Sequence, residues 1–190
     1  YLKSKGSYID GLRVDDWEYY FYDGKIKQKG KYLKGELPSG KWIWYYSNGN
    51  ILREEFYFKG NEDGMMLEYT PDGKIITKGD YVNGLKDGPW FYEMGDHIEE
   101  GSYLDGQKNG EWIYHYINGK INFKGSFRDG ESDGKHKFYF SNGKLKKEEI
   151  YLMGSKIDKW KSYNIEGELV LTILYKDGKE VKINGTKLKK

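Results

Sequence analysis

The residues that could do chemistry are few, and their spacing argues against most reactions. Asp129-Gly-Glu-Ser-Asp-Gly134 sets acids at positions 1, 3 and 5 and a glycine at position 6, like the start of a calcium loop. An EF-hand loop needs a bidentate glutamate at position 12, which here is Phe140, so a turn between repeating units is the better reading. The three histidines, His97, His115 and His136, lie 18 and 21 residues apart, without a close metal-ligand pair. His136 and His115 stand where a recurring pattern places aromatics, which reads as packing, and His97 follows a short turn and is expected to face solvent. No Gly-x-Ser-x-Gly elbow, phosphate loop or His-Glu-x-x-His motif occurs, and no cysteine offers a nucleophile, a thiolate ligand or a disulfide. The reading is therefore no catalytic residue, no metal and no cofactor.

What remains is aromatic. Gly40-Lys-Trp-Ile-Trp-Tyr-Tyr-Ser-Asn-Gly-Asn-Ile51 packs four rings into five residues. Trp42, Trp44 and Tyr46 share one strand face, and Ile43 and Tyr45 the other. Aromatics recur on both parities, with Tyr20, Tyr69 and Tyr139 on the parity of Tyr45. Rings on an exposed face would give a partner a large contact area at low entropic cost. The candidate partner-binding residues are thus Trp44, Tyr45, Tyr46, Tyr20, Tyr69 and Tyr139.

Such rings need a scaffold, and the chain supplies one by repetition. Seven glycines, Gly24, Gly49, Gly73, Gly95, Gly119, Gly143 and Gly167, each precede an aromatic by eight residues and a second glycine by eleven. A bulky residue lies seven before the anchor in six units, as Trp17, Trp42, Met66, Trp112, His136 and Trp160; in the fourth, Trp90 lies five before. That unit has lost two residues from its hairpin, and the step from Trp17 to Trp42 gains one near Leu37-Pro38. The segment Lys5 to Gly11 matches the second half of a unit.

Each unit reads as two strands joined at Asp23-Gly24, Asn48-Gly49, Asp72-Gly73, Asn118-Gly119 or Asn142-Gly143, pairs suited to a tight turn with positive φ at both positions. The glycine eleven after the anchor returns the chain to the next unit. The expected fold is all-β: an elongated antiparallel β-meander of about seven two-stranded hairpin repeats of ~24 residues. At ~4.8 Å per strand, roughly fourteen to sixteen strands would extend about 65–75 Å. The whole chain, 1–190, reads as one array: a partial repeat 1–15, repeats 16–39, 40–63, 64–87, 88–109, 110–133, 134–157 and 158–179, then 180–190. Trp17, Trp42, Trp90, Trp112 and Trp160 form the structural ladder. Glu180 to Ile183 reads as a charged capping strand, while beyond Gly185 a solvated tail with Lys187, Lys189 and Lys190 is an equal alternative.

Composition fits this reading. Of 190 residues, 17% are aromatic, 26 are Gly and three are Pro, which suits short strands and glycine turns. The 32 basic and 30 acidic residues nearly cancel, giving no electrostatic case for nucleic acid. No run of ~18 apolar residues spans a bilayer. The sequence starts at Tyr1, read as a processed or truncated product, with a cell-envelope location, periplasmic or lipid-anchored, ahead of a cytoplasmic one.

The pattern Gly-x-Trp-x-x-Tyr-Tyr-x-x-Gly-x-Ile, then Tyr-x-x-Gly-x-x-x-Gly, resembles MORN repeats, and more closely the bacterial variant in YwqK-type antitoxins. Gly40 to Gly49 with Tyr57 to Gly60, and Gly110 to Gly119 with Phe127 to Gly130, carry the likeness best; Met66, His136 and the short fourth unit depart from it. The resemblance implies a non-enzymatic scaffold whose partner is another protein, a toxin or effector to be neutralised or a subunit of an envelope complex. Trp-Tyr-Tyr strands with glycine turns also resemble choline- and wall-binding repeats, which have a shorter unit, so glycan binding is the alternative. Lys144, Lys146, Lys147, Lys156, Lys159 and Lys161 make contact with a phospholipid surface a third, diluted by Glu148, Glu149 and Asp158.

Overall fold

The computed structural model describes residues 1–188. Lys189 and Lys190 of the basic tail lie outside the described residues, which contain strands and no helix. The chain divides into two compact units, Tyr1–Tyr92 and Glu93–Lys190. The first holds β1 (Ser4–Ile9), β2 (Leu12–Tyr20), β3 (Ile26–Leu33), β4 (Leu37–Tyr45), β5 (Ile51–Phe58), β6 (Asn61–Glu62), β7 (Gly64–Tyr69), β8 (Ile75–Val82) and β9 (Leu85–Glu93). The second holds β10 (His97–Leu104), β11 (Gln107–Tyr116), β12 (Ile121–Arg128), β13 (Glu131–Ser132), β14 (Gly134–Tyr139), β15 (Leu145–Leu152), β16 (Ser155–Lys156), β17 (Asp158–Tyr163), β18 (Leu169–Lys176), β19 (Lys179–Ile183) and β20 (Thr186–Lys187). Within each unit the pairings are antiparallel, as connections this short require; β6 with β7, β13 with β14 and β16 with β17 each pair in turn with the one strand before them.

Two turn types alternate, in the opposite places to those expected. At the anchor glycines only glycine takes positive φ; Asp23, Asn48, Asp72, Asn118 and Asn142 do not. Phe21 N–H donates to Lys25 O at 2.8 Å, closing a three-residue loop of the kind built on a type I turn with a left-handed glycine. Positive φ at both positions occurs instead at the second set of glycines, as at Lys59-Gly60, Asn83-Gly84 and Asp129-Gly130. The fourth hairpin turns in two residues, with Met94 N–H donating to His97 O at 2.8 Å. The residue gained near Leu37-Pro38 sits in the turn just before it, where Leu33 pairs with Leu37 across Lys34 to Glu36.

Strands that carry a ladder residue are bulged around it, apart from a second register shift beside the hairpin turn. Between the pairs Lys29–Ile43 and Lys31–Ser39, β3 advances two residues and β4 four. The same surplus of two recurs in β2, β9 and β11. A positive-φ residue stands two before every ladder residue: Asp15, Gly40, Gly64, Gly88, Gly110, Gly134 and Asp158. Glycine takes this conformation freely, and aspartate is among the side chains that tolerate it. The bend lays the indole over the neighbouring strand. Trp17, Trp90, Trp112 and Trp160 donate from Nε1 to backbone oxygens of Ser7, Asp80, Ser102 and Ile150 at 3.1–3.2 Å.

At the C-terminal end, β19 pairs with β18 as the expected capping strand. Beyond Gly185 the tail reading is overturned for the described residues: Thr186 and Lys187 pair with β19, and Leu188 N–H donates to Val181 O at 3.1 Å.

Candidate interaction surface

The ladder face is closed. Trp17, Trp42, Met66, Trp90, Trp112, His136 and Trp160 are all buried. Four of the five Trp rings lie against a glycine of the preceding strand: a Cβ on Gly6, Gly30, Gly79 or Gly101 would fall inside Trp17, Trp42, Trp90 or Trp112. A cation from the arm before the ladder residue lies over four of the ladder indoles, Trp17, Trp90, Trp112 and Trp160. Arg13, Lys86, Lys108 and Lys156 each stand four residues before a ladder Trp, and their charged ends lie 5.9, 4.4, 3.9 and 4.7 Å from its centroid. Arg13, Lys86 and Lys108 also donate to the hydroxyls of Tyr19, Tyr92 and Tyr114 at 2.7–3.0 Å. Burial pushes the Lys108 ammonium below its ordinary pKa and raises that of Tyr114. Burial and the Tyr19 hydrogen bond push Tyr32 up to about 12. The cation spacing was present in the sequence, as Gly84-Leu-Lys86-Asp-Gly-Pro-Trp90 shows.

Two glutamates occupy glycine positions of this face. Glu55 and Glu149 are 1% and 4% exposed, and each is six residues after its anchor glycine. Arg53 pairs with Glu55 and Lys147 with Glu149. Tyr57 and Tyr151 donate their hydroxyls to the same carboxylates at 2.7 and 2.8 Å. Hydrogen-bonded ion pairs of this kind let a buried charge persist. Periodicity concealed them, because a glutamate in a strand reads as solvent-facing.

None of the six candidate rings stands free. Trp44 is half-buried, 6.1 Å from Trp42 and beneath Arg53 at 5.4 Å. Tyr46 donates to Tyr69 O at 2.7 Å, and Tyr116 repeats that tether on Tyr139 O. Tyr45 lies under Lys29, Tyr20 donates to Glu18 at 2.5 Å, and Tyr69 reaches Glu54 at 3.4 Å. Tyr139 is half-buried at the edge of a hollow over Gly125.

The polar candidates are also engaged. His136 is 3% exposed and takes the ladder indole's place, with Nε2 2.7 Å from Ser126 O. His97 does not face solvent freely: Asp96 lies 2.6 Å and Glu99 3.0 Å from its two ring nitrogens, and these bonds raise its pKa. His115 is half-buried, 3.7 Å from Glu100. In the calcium-like stretch, Asp129 and Gly130 form a turn and Asp133 pairs with Arg128 at 2.7 Å.

Two surfaces stand open, one in each unit. In the first unit, apolar residues flank the turns with two positive φ angles: Ile9 with Leu12, Leu33 with Leu37, Phe58, and Val82 with Leu85. All seven are exposed, by 38–57%. Consecutive turns are joined by backbone bonds, Gly60 N–H to Pro38 O at 2.9 Å and Gly84 N–H to Glu62 O at 2.7 Å, so Leu33 with Leu37, Phe58, and Val82 with Leu85 form one row. In the second unit, Lys135 and Lys137 flank His136, and Lys159 and Lys161 flank Trp160.

No curated protein matches the chain. Family comparison does find the hairpins: three windows, each running from one of these turns to the next, fit a single repeat family. Residues 38–59, 62–83 and 132–152 match the model of the MORN repeat variant.

Proposed function

We propose that this chain is a non-enzymatic protein-binding scaffold of MORN-type hairpins, and that its partner docks on the apolar turn row of the first unit. The observation that carries this reading is the exposed, in-register row of Leu33, Leu37, Phe58, Val82 and Leu85. Contiguous apolar surface on a folded protein marks an interaction site more often than scattered single residues do. The resemblance to antitoxin repeats supports neutralisation of a toxin or effector as the finer role, ahead of a subunit role in an envelope complex. A glycan platform would need open rings, whereas Trp44, Tyr45 and Tyr46 are half-buried.

The test is capture from a lysate of the source cell on the immobilised chain, with stoichiometry read by mass spectrometry. A single stoichiometric protein should be retained, lost on Phe58→Asp or Leu85→Asp, and kept on Ile117→Asp, whose side chain is equally exposed at 58%. Capture of nothing stoichiometric, or equal loss with Ile117→Asp, overturns the reading.

A further inference from the structure

In the first unit, the cross-strand row on the face opposite the ladder runs Lys5, Glu18, Lys29, Ile43, Glu54, Leu67, Lys78. No two neighbours in it carry like charge. The same row in the second unit runs Glu100, Ile113, Lys124, Lys137, Glu148, Lys161, Thr172. Lys124 directly opposes Lys137, an arrangement that destabilises a sheet when nothing answers it. Lys135 and Lys159 add two ammonium groups from the adjacent row.

The carboxylates nearby do not balance these charges. Glu111 holds Lys124 at 2.9 Å. Glu148, whose side chain is 13% exposed, lies 3.8 Å from both Lys135 and Lys161, beyond hydrogen-bond length. Among the described residues, Lys137 and Lys159 have no ion-pair partner. A hollow of about 350 Å³ opens over Gly125, bordered by Lys124, Lys135, Lys137 and Tyr139. Each row carries three lysines against two glutamates; the second unit differs in setting two of its lysines, Lys124 and Lys137, side by side and in flanking them with Lys135 and Lys159.

We propose that this face of the second unit docks an acidic polypeptide segment, whose carboxylates answer Lys124, Lys137, Lys159 and Lys161. The proposal rests on the protein-binding reading and adds a second contact of stated chemistry to it. Charge complementarity selects the partner and speeds encounter. Glu111, half exposed, and Glu148 interrupt the patch. A continuous anionic surface would press phosphates against both carboxylates, whereas a peptide can place uncharged or basic residues there.

The experiment measures fluorescence anisotropy of a fluorescein-labelled twelve-residue oligo-glutamate titrated with the full chain. Binding should weaken about tenfold between 50 and 300 mM salt, and at least tenfold on the double substitution Lys137→Gln/Lys161→Gln. The charge-matched control Lys25→Gln/Lys29→Gln, in the first unit, should stay within twofold of wild type. Absence of binding, or equal loss with the control, overturns the proposal. Tighter, Lys137- and Lys161-dependent binding to anionic phospholipid vesicles or to a fifteen-residue oligothymidine would assign the face to another class and overturn it equally. If oligo-glutamate fails while Phe58-dependent capture persists, only this inference falls; loss of that capture alone falls on the scaffold reading.

Discussion

Gly101→Ala is the sharpest test of how the ladder is held. Trp112 is fully buried. An aromatic of that size buries about 150–250 Å², about 4–6 kcal/mol at ~25 cal/mol per Å². The new Cβ would lie within the indole, so the ring must tilt away from the strand. Tilting breaks the 3.1 Å bond from Nε1 to Ser102 O and disturbs the Lys108 contact at 3.9 Å. With about a third of the burial and roughly 1 kcal/mol of hydrogen bond lost, the cost is about 3 kcal/mol. At a urea m-value of ~2 kcal/mol per M, the midpoint should fall by about 1.5 M, measured by far-UV circular dichroism. The chain offers a smaller ladder residue in Met66, so Trp112→Met should relieve the clash, with a coupling of at least ~1 kcal/mol in the double-mutant cycle. Ser102→Ala, which leaves the backbone acceptor in place, should cost less than ~0.5 kcal/mol. A Gly101→Ala protein as stable as wild type, or strict additivity with Trp112→Met, refutes the packing argument.

Three further outcomes follow from the same contacts. Lys147→Met leaves Glu149 buried without its cation and should cost about 3 kcal/mol in thermal unfolding, most of it recovered in Lys147→Met/Glu149→Gly. Tyr46→Phe removes the tether to Tyr69 O and should cost about 1 kcal/mol in a urea melt while leaving partner capture intact. Hydrogen bonds that the His97 imidazolium donates to Glu99 and Asp96 raise its folded-state pKa, so its contribution is fully present below the unfolded value of about 6.5 and is lost as pH rises through the raised folded value. The gap in Tm between wild type and His97→Gln should therefore be wider at pH 5.5 than at pH 8.5; an equal gap would show that the ion pairs contribute nothing.

The antiparallel hairpins were legible because the seven units copy one another, and each period of glycine, aromatic and glycine corresponds to a turn, a strand position and a turn. Turn type was not. Asp-Gly and Asn-Gly favour the two-residue turn locally, but the bond from Phe21 N–H to Lys25 O closes a longer loop. The two-residue turns fell partly on pairs without that signature, such as Lys59-Gly60 and Met153-Gly154, where bonds to the preceding turn select the conformation. The surroundings of the candidate rings were hidden for a related reason. Parity shows that Trp44 shares the face of Trp42, but not that the bend at Gly40 helps close that face or that Arg53 lies over Trp44. The hydroxyl of Tyr46 is held by a residue 23 positions away, in the next hairpin.

One exception shows what the ladder controls. Glutamate replaces the glycine before two ladder residues: Glu55 precedes Met66, and Glu149 precedes an indole, Trp160. The indole adjusts: Trp160 stands 56° from Tyr151, whereas Trp42, Trp90 and Trp112 stand 75–87° from the equivalent tyrosines. Trp160 is also 6% exposed, against 0–3% for those three. The inner face therefore tolerates a carboxylate only by turning its ring, and six of the seven hairpins avoid that combination. The residue just after the ladder position is under no such constraint. It is Glu18, Ile43, Leu67, Phe91, Ile113, Lys137 and Lys161 in successive hairpins, on the side of the sheet away from the ladder. Hairpins with nearly the same interior thus present different exteriors: the ladder constrains packing, and the residues beside it are free to vary from hairpin to hairpin.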